Sequence, residues 1–295
     1  MLNRHHTPKA LPFFNLNEDR GLFETGPEIL ELPAEWREGW LKEQPFERIF
    51  ALEGELFRHK DGRRTLRFVR DGKSYFAKLH HGLGWSRFLK SLARGKWPVT
   101  GAENEWRAIM KLTELKIPTT PLVAWGRRGR LPMTRRSFII THDLADTVSL
   151  EDLCRDWPEN PPAPAFKRAL IQRVAEITRT LHRLGLFHCD LYICHFLLDR
   201  ESNRPDAATP QLHLIDLHRV RGGGLRPRRW QVKDLAALYF SSSAIGLTRR
   251  DRLRFIAAYS GRPWRESLAR EESLWRQVEK RGAAFIAEFA RRGPR

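Results

Sequence analysis

The chain has 295 residues, 41% of them hydrophobic, enough to bury the core of one large domain or of two lobes, which excludes a disordered chain. Its 53 Lys+Arg against 35 Asp+Glu leave a formal net charge of +18, which points to an anionic partner: nucleic acid, a membrane face, a polyphosphate or an acidic protein. Three cysteines (Cys154, Cys189, Cys194) exclude a disulfide framework, and no stretch reads as a secretory leader or approaches the roughly 18 apolar residues of a spanning helix.

In chain order, residues 1–44 mix Pro, Gly and acidic groups without periodicity and are expected to form an N-terminal extension. From Phe46 the segments IFALEGELFRH, TLRFVRDG and SYFAKLHH are short, alternate apolar with polar residues and are divided by Asp61-Gly62 and Asp71-Gly72, the pattern of antiparallel hairpins. Residues 85–97, WSRFLKSLARGKW, set Trp85, Phe88, Leu89 and Leu92 on one helical stripe with Arg87, Lys90, Arg94 and Lys96 around it. That pattern suits an interfacial helix as well as an amphipathic helix packed on a lobe. The spacing of Trp106, Ile109, Met110 and Leu112 predicts a helix over 101–116 that stops at Ile117-Pro118, and TPLVAWG and SFIITHDL predict two further strands.

Beyond residue 147 the pattern is mainly helical. Residues 165–184 carry Leu170, Val174, Ile177 and Leu181 on one face and close on Gly185. The apolar run FHCDLYICHFLL follows, then LHLIDLHRV (212–220) as a strand ending in an aspartate, then helices over 232–245, 249–260 and 273–291. The reading is α+β and two-lobed: a β-rich N-lobe with one helix over 45–143 and a larger helical C-lobe over 144–295, joined near 141–146.

Four groups fall in a telling order. Lys78 lies on an N-lobe strand, Glu105 on the helix after it, Asp190 in the loop after the long helix, and Asp216 at the end of a later strand. Phosphoryl transfer of the kinase type needs that sequence of parts: a lysine on the ATP phosphates, a glutamate to orient it, an aspartate beside the acceptor hydroxyl and an aspartate for Mg²⁺. Glu103 competes with Glu105, because periodicity alone does not fix the helix register. His188-Cys189-Asp190 resembles the kinase catalytic-loop triplet, with His188 as a support beneath the loop. His195 stands five residues after Asp190, where kinases place a metal-binding asparagine; imidazole is a poor Mg²⁺ ligand, so both a phosphate contact and a metal ligand are open for it. No G-x-G-x-x-G loop is present, and the turn from Lys60 to Thr65 offers Arg63 and Arg64 to the triphosphate instead. A zinc site built on His188, Cys189, Cys194 and His195 lacks the usual ligand spacing, and a cysteine nucleophile is disfavoured by the apolar setting of Cys194.

The blocks GRRTLRF, SYFAKLH, GAENEWRAI, SFIITHDL, SLEDLC, YICHFLL, LIDLHR, PRRW, KDLAALYFSS and IGLTRRD, read together over about 45–260, resemble the lipopolysaccharide core heptose kinases that act on the first inner-core heptose. The resemblance implies a protein-kinase-like fold, ATP and Mg²⁺, and a lipid-linked core acceptor met at the anionic cytoplasmic face of the inner membrane. It matches Asp190 to the catalytic aspartate, Lys78 to the nucleotide lysine, Glu105 to its partner, Asp216 to the metal aspartate, and Asp234 to a buried aspartate that ties to the catalytic loop. Cys189 departs from the arginine usual in that triplet, which argues against control by activation-segment phosphorylation. An acidic carrier protein suits the charge. Nucleic acid is not expected, since no nucleic-acid-binding motif accompanies it. The alternatives are a kinase of the same fold acting on Kdo, another core sugar or a protein tyrosine, and a non-enzymatic module that binds an anionic partner.

Overall fold

The structure, a computed structural model, describes residues 28–60, 62–82, 84–93, 101–131, 133–201, 210–222 and 224–292. Its N-terminal part is a six-stranded antiparallel sheet with β1 (Glu28–Glu31), β2 (Glu55–Lys60), β3 (Arg63–Arg70), β4 (Lys73–His80), β5 (Leu122–Arg128) and β6 (Arg136–His142), in the order β1-β5-β6-β4-β3-β2. Asp71 and Gly72 join β3 to β4 with φ of 50° and 72°, the left-handed backbone that a two-residue hairpin turn demands and that this residue pair accepts. The hairpin register sets Thr65 opposite Lys78 and Arg63 opposite His80, while Arg64 faces Leu79. Cross-strand partners share a sheet face, so this register decides which side chains look into the cleft.

One sheet face is covered by α1 (Ala34–Glu38) and α2 (Pro45–Phe50), whose Trp36, Phe46 and Ile49 pack with Leu66, Leu79 and Phe138. Two expectations are corrected here. Residues 28–44 are not an extension outside the lobe: they add edge strand β1 to β5 and bury Leu32, Trp36 and Leu41. Ile49 and Phe50 lie on α2 and not on a strand, because their apolar pair satisfies a helix that presses onto the sheet; residues 1–27 are outside the described residues.

The helix α3 (Trp85–Ala93) leaves Trp85 and Leu89 more than half exposed; residues 94–97 of the basic stripe are outside the described residues. The helix α4 (Glu103–Glu114) starts where the Ala102 N–H donates to Ser137 Oγ on β6 at 3.0 Å. Its buried Ile109 and Leu112 join a second core that runs on through Trp125 and Ile139 to Leu150, Leu170, Leu191, Phe196 and Leu217. Continuous packing thus ties α4 to the loops of the C-terminal part.

That part holds β7 (Thr147–Ser149), α5 (Leu150–Leu153) and α6 (Pro164–Arg183), which begins with Pro164 in its first turn and stops at Gly185, φ 70°. Then come β8 (Leu186–Phe187), β9 (Phe196–Asp199), β10 (Leu212–Leu214) and β11 (Arg221–Gly222). They form one small sheet in the order β10-β9-β7 and a second pair, β11-β8. The helices α7 (Pro227–Ser241), α8 (Arg249–Ser260), α9 (Trp264–Arg270) and α10 (Glu272–Arg292) complete the lobe. The expected apolar strand over 212–220 is short: it ends at Leu214, and Asp216 takes φ 60° before a 3₁₀ turn over Leu217–Arg219. The layout is a β-rich small lobe followed by a helical large lobe, as the sequence predicts.

Candidate active site

Lys78 and Glu105 of the small lobe meet Asp216 of the large lobe where the two lobes face each other. Lys78 projects from β4 on the face opposite the α1–α2 core, and its Nζ lies 2.6 Å from Glu105 Oε1 and 3.5 Å from Asp216 Oδ1. Glu105 is 3% exposed, on the inner face of α4. Glu103, two residues earlier, points away and receives Arg107, Arg127 and Arg135. Burial alone would lower the Lys78 ammonium, but the Glu105 and Asp216 carboxylates outweigh it and raise its pKa.

Asp216 sits in the left-handed region, stabilised by the loop that follows. Its Oδ1 accepts from His218 Nδ1 at 2.7 Å, and its Oδ2 lies 3.6 Å from His195 Nε2. Burial pushes its carboxyl upward; the His218 hydrogen bond and the charges of Lys78, His218 and His195 reverse that and hold it well below the usual carboxylate range. Asn104, beside Glu105 on α4, donates from one amide nitrogen to the carbonyls of His218 at 2.8 Å and Val220 at 2.9 Å. The first turn of α4 therefore grips both Lys78 and the Asp216 loop.

The segment 188–190 is held from below by Asp234 on α7. This fully buried carboxylate accepts the backbone N–H groups of His188 and Cys189, each at 2.8 Å, and lies 3.3 Å from His182 Nε2. Cys189 has φ 69°, a strained backbone for a residue with a Cβ, and the two hydrogen bonds fix it there. His188 Nε2 donates to the Ile215 carbonyl at 2.9 Å, linking the loop to the residue before Asp216. Burial lowers the His188 imidazole pKa, so it serves as a neutral strut. Burial likewise pushes the Cys189 and Cys194 thiols up to about 12 and about 11, unsuited to nucleophilic work at neutral pH.

Asp190 then stands at the mouth of the cleft. Its carbonyl accepts from His195 Nδ1 at 2.7 Å, which places a proton on Nδ1 and turns the Nε2 edge of the ring toward Asp216. The carboxylate of Asp190 meets Arg219 Nη1 at 2.7 Å and Lys233 Nζ at 3.4 Å; Lys233 also donates to the Cys189 carbonyl.

The site thus brings together Lys78, Glu105, Asp190, His195 and Asp216, and Arg63 joins them. Burial lowers the Arg63 guanidinium pKa, opposed by the charges of Glu105 and Asp216, so Arg63 shares their side of the sheet. Arg64 does not: it shares the opposite face with Leu79 and donates to the Leu52 carbonyl. Sequence reasoning missed Asn104, His218, Arg219 and Lys233, although each neighbours a residue it singled out. The donor set fits a magnesium ion carried chiefly by a triphosphate: Asp216 offers a charged oxygen with one edge open, His195 offers only nitrogen, and among the described residues no group of three or more His, Cys, Asp or Glu side chains could hold a metal by itself.

Residues 47–259 match the family described as Lipopolysaccharide kinase (Kdo/WaaP) family. The chain is 46% identical over 266 residues to the lipopolysaccharide core heptose(I) kinase WaaP of Pseudomonas aeruginosa, covering 90% of this chain and 98% of that one. It is 44% identical over 255 residues to the protein of the same name from Escherichia coli strain K12, with coverage of 86% and 96%. Among solved structures, WaaP in complex with acyl carrier protein superposes with a TM-score of 0.74 at 43% identity, covering 86% of this chain and 98% of that one.

Proposed function

The chain belongs to the lipopolysaccharide kinase (Kdo/WaaP) family and is a phosphotransferase acting on a sugar with ATP as donor, and we propose that its acceptor is the first heptose of the lipopolysaccharide inner core. The observation that carries this reading is the meeting of Lys78, Glu105 and Asp216, with Asp190 joined to Asp216 through the His195 ring. We assign the nucleotide to the lobe of residues 45–143 and the acceptor to residues 144–295.

In this reading Lys78, oriented by Glu105, holds the phosphates, and Arg63 adds charge where a glycine-rich loop would offer backbone. Asp190 orients the sugar hydroxyl and takes its proton as the oxygen attacks the γ-phosphorus. Asp216 and, through its Nε2 side, His195 face the same phosphates. Asp216 would hold Mg²⁺, which when bound would supply charge neutralisation on the phosphates. The lowered pKa of Asp216 supports that role, because the carboxyl is ionised throughout the neutral range.

Two partners fit the surface. The exposed Trp85 and Leu89 on α3, next to the exposed Lys90, support docking on an anionic leaflet, and no helix among the described residues is long and apolar enough to cross a membrane. We place the enzyme at the cytoplasmic face of the inner membrane. The net charge of +18 supports binding of an acidic carrier protein. A cavity of about 770 Å³ in the C-lobe, lined by Trp157, Val174, Leu238, Phe255 and Trp275 with Arg249 at its wall, is apolar enough for an acyl chain that such a carrier presents.

The test is γ-phosphate transfer from ATP to defined, delipidated core oligosaccharides, with the product mapped by mass spectrometry. Phosphate on the first heptose is expected. Phosphate on Kdo or on another heptose, with that position left bare, would replace the acceptor and keep the kinase.

A further inference from the structure

Both oxygens of the Asp190 carboxylate are met by a cation before any acceptor binds. Lys233 Nζ approaches Oδ1 at 3.4 Å and Arg219 Nη1 bonds Oδ2 at 2.7 Å. The two cations are held differently. Lys233 is three-quarters buried, stands on α7 next to the fully buried Asp234 and is also tied to the Cys189 carbonyl. Arg219 has a half-exposed side chain whose described hydrogen bond is to Asp190 alone. Its backbone is nevertheless fixed, because Asn104 grips the carbonyls on either side of it and Leu217 is buried. The side chain can therefore swing about an anchored Cα, and Lys233 cannot follow it.

This arrangement meets a problem built into every ATP-dependent sugar kinase: water is also an acceptor. Water attacking the γ-phosphorus would form a P–O bond, break the bond to the bridging oxygen and release ADP and inorganic phosphate. Its proton would pass to Asp190 and on to solvent. A carboxylate oxygen already bonded to a guanidinium is a poor place for that proton. A single water offers one neutral hydrogen bond in exchange for a charge-assisted one, whereas a bound oligosaccharide has remote binding energy with which to displace Arg219.

We propose that Arg219 caps the catalytic carboxylate against water and yields its place to the sugar hydroxyl when the acceptor binds. Once displaced, the guanidinium stays at the mouth of the cleft, on the side where Arg63 feels its charge, and can meet the phosphoryl group in transit. The inference rests on the role given to Asp190 in the proposed function.

The experiment uses the full chain as wild type, Arg219→Gln, Arg219→Lys and Asp190→Ala/Arg219→Gln, with folding checked by thermal melts. Phosphate release from ATP is measured without acceptor, and phosphate transfer is measured with delipidated core oligosaccharide. Arg219→Gln should raise acceptor-free hydrolysis about 10-fold or more, a part of the 10²–10⁴-fold that a positioned base supplies, while lowering transfer. Arg219→Lys should restore tight coupling in part, and the double variant should lose the extra hydrolysis. If wild type transfers phosphate to sugar and Arg219→Gln releases no more phosphate than wild type without acceptor, the cap is wrong and the sugar-kinase reading stands. If no sugar is phosphorylated by any variant while Arg219→Gln still hydrolyses faster through Asp190, the acceptor reading is wrong and the cap stands. Equal loss of hydrolysis and transfer in Arg219→Gln would make Arg219 an ordinary phosphate contact and overturn the cap.

Discussion

Replacing Lys78 by methionine keeps the stem and removes the charge, which leaves Glu105 as a carboxylate that is 3% exposed, lacks a partner on Oε2 among the described residues and faces Asp216 across the space the ammonium filled. Breaking a buried ion pair by deleting one member costs about 3–5 kcal/mol. Glu105→Leu removes the buried carboxylate instead, and Lys78 keeps Asp216 at 3.5 Å, so its loss should be smaller, about 1–3 kcal/mol. Lys78→Met/Glu105→Leu replaces both charges by apolar groups of similar length, a change that is often close to neutral. The double variant should therefore be more stable than Lys78→Met, with a coupling energy of about 4–8 kcal/mol, the sum of the two single losses that a near-neutral double variant leaves uncounted. Urea unfolding of the four proteins at pH 7 without nucleotide gives the cycle. Because the folded Lys78 pKa is raised above its unfolded value, the pair's contribution is present in full at pH 7 and fades only as pH climbs past the ordinary lysine range. All three variants should lose turnover, so stability separates the pair from its chemistry. A coupling energy below about 0.5 kcal/mol would show that the 2.6 Å contact carries no net weight and would refute the argument.

Asp190→Ala should lower turnover by about 10²–10⁴-fold with nucleotide affinity within a few-fold of wild type by calorimetry, and retention of more than about a tenth of the activity would take the base away from Asp190. Asp234→Ala orphans the buried His188 and Cys189 N–H groups at about 1–3 kcal/mol each, so a fall of about 2–6 kcal/mol and fast amide exchange in residues 187–190 are expected; unchanged exchange would show that the strained loop is held elsewhere. Burial, reinforced by Arg63 and Lys78, lowers His80 to about 3, so the unfolded chain takes up a proton near pH 6.5 that the folded chain refuses. Wild type should lose up to about 1.4 kcal/mol per pH unit relative to His80→Leu as pH falls through that window, measured by urea unfolding, and parallel curves for the two proteins would discard the assignment.

Much of the site is legible in the sequence because its parts sit on strongly signalled elements. The Asp71-Gly72 turn fixes the strand that carries Lys78, and the stripe of Ile109 and Leu112 fixes the helix that carries Glu105. Arg64 could also have been excluded by alternation alone, since adjacent strand residues cannot both face the cleft. Residues 28–44 escaped because Trp36 and Leu41 find their partners across the sheet, and a five-residue helix is too short to show a period. Ile49 and Phe50 form an apolar pair that strand and helix templates fit equally well. Arg219 and Lys233 escaped for a different reason: their meeting with Asp190 joins positions 29 and 43 residues apart, and no local pattern encodes it.

The grip of Asn104 on the Asp216 loop is made entirely to main-chain carbonyls, one before and one after Arg219. A latch that reads backbone imposes nothing on the side chains it spans. A change at the half-exposed Arg219 would keep the loop in place, so the chemistry at that position is open to drift while the loop's posture is not. The reverse holds for position 104, where no other residue of that length offers two amide hydrogens from one nitrogen. The heritable information that sets the stance of Asp216 therefore resides in a different part of the chain from the aspartate itself.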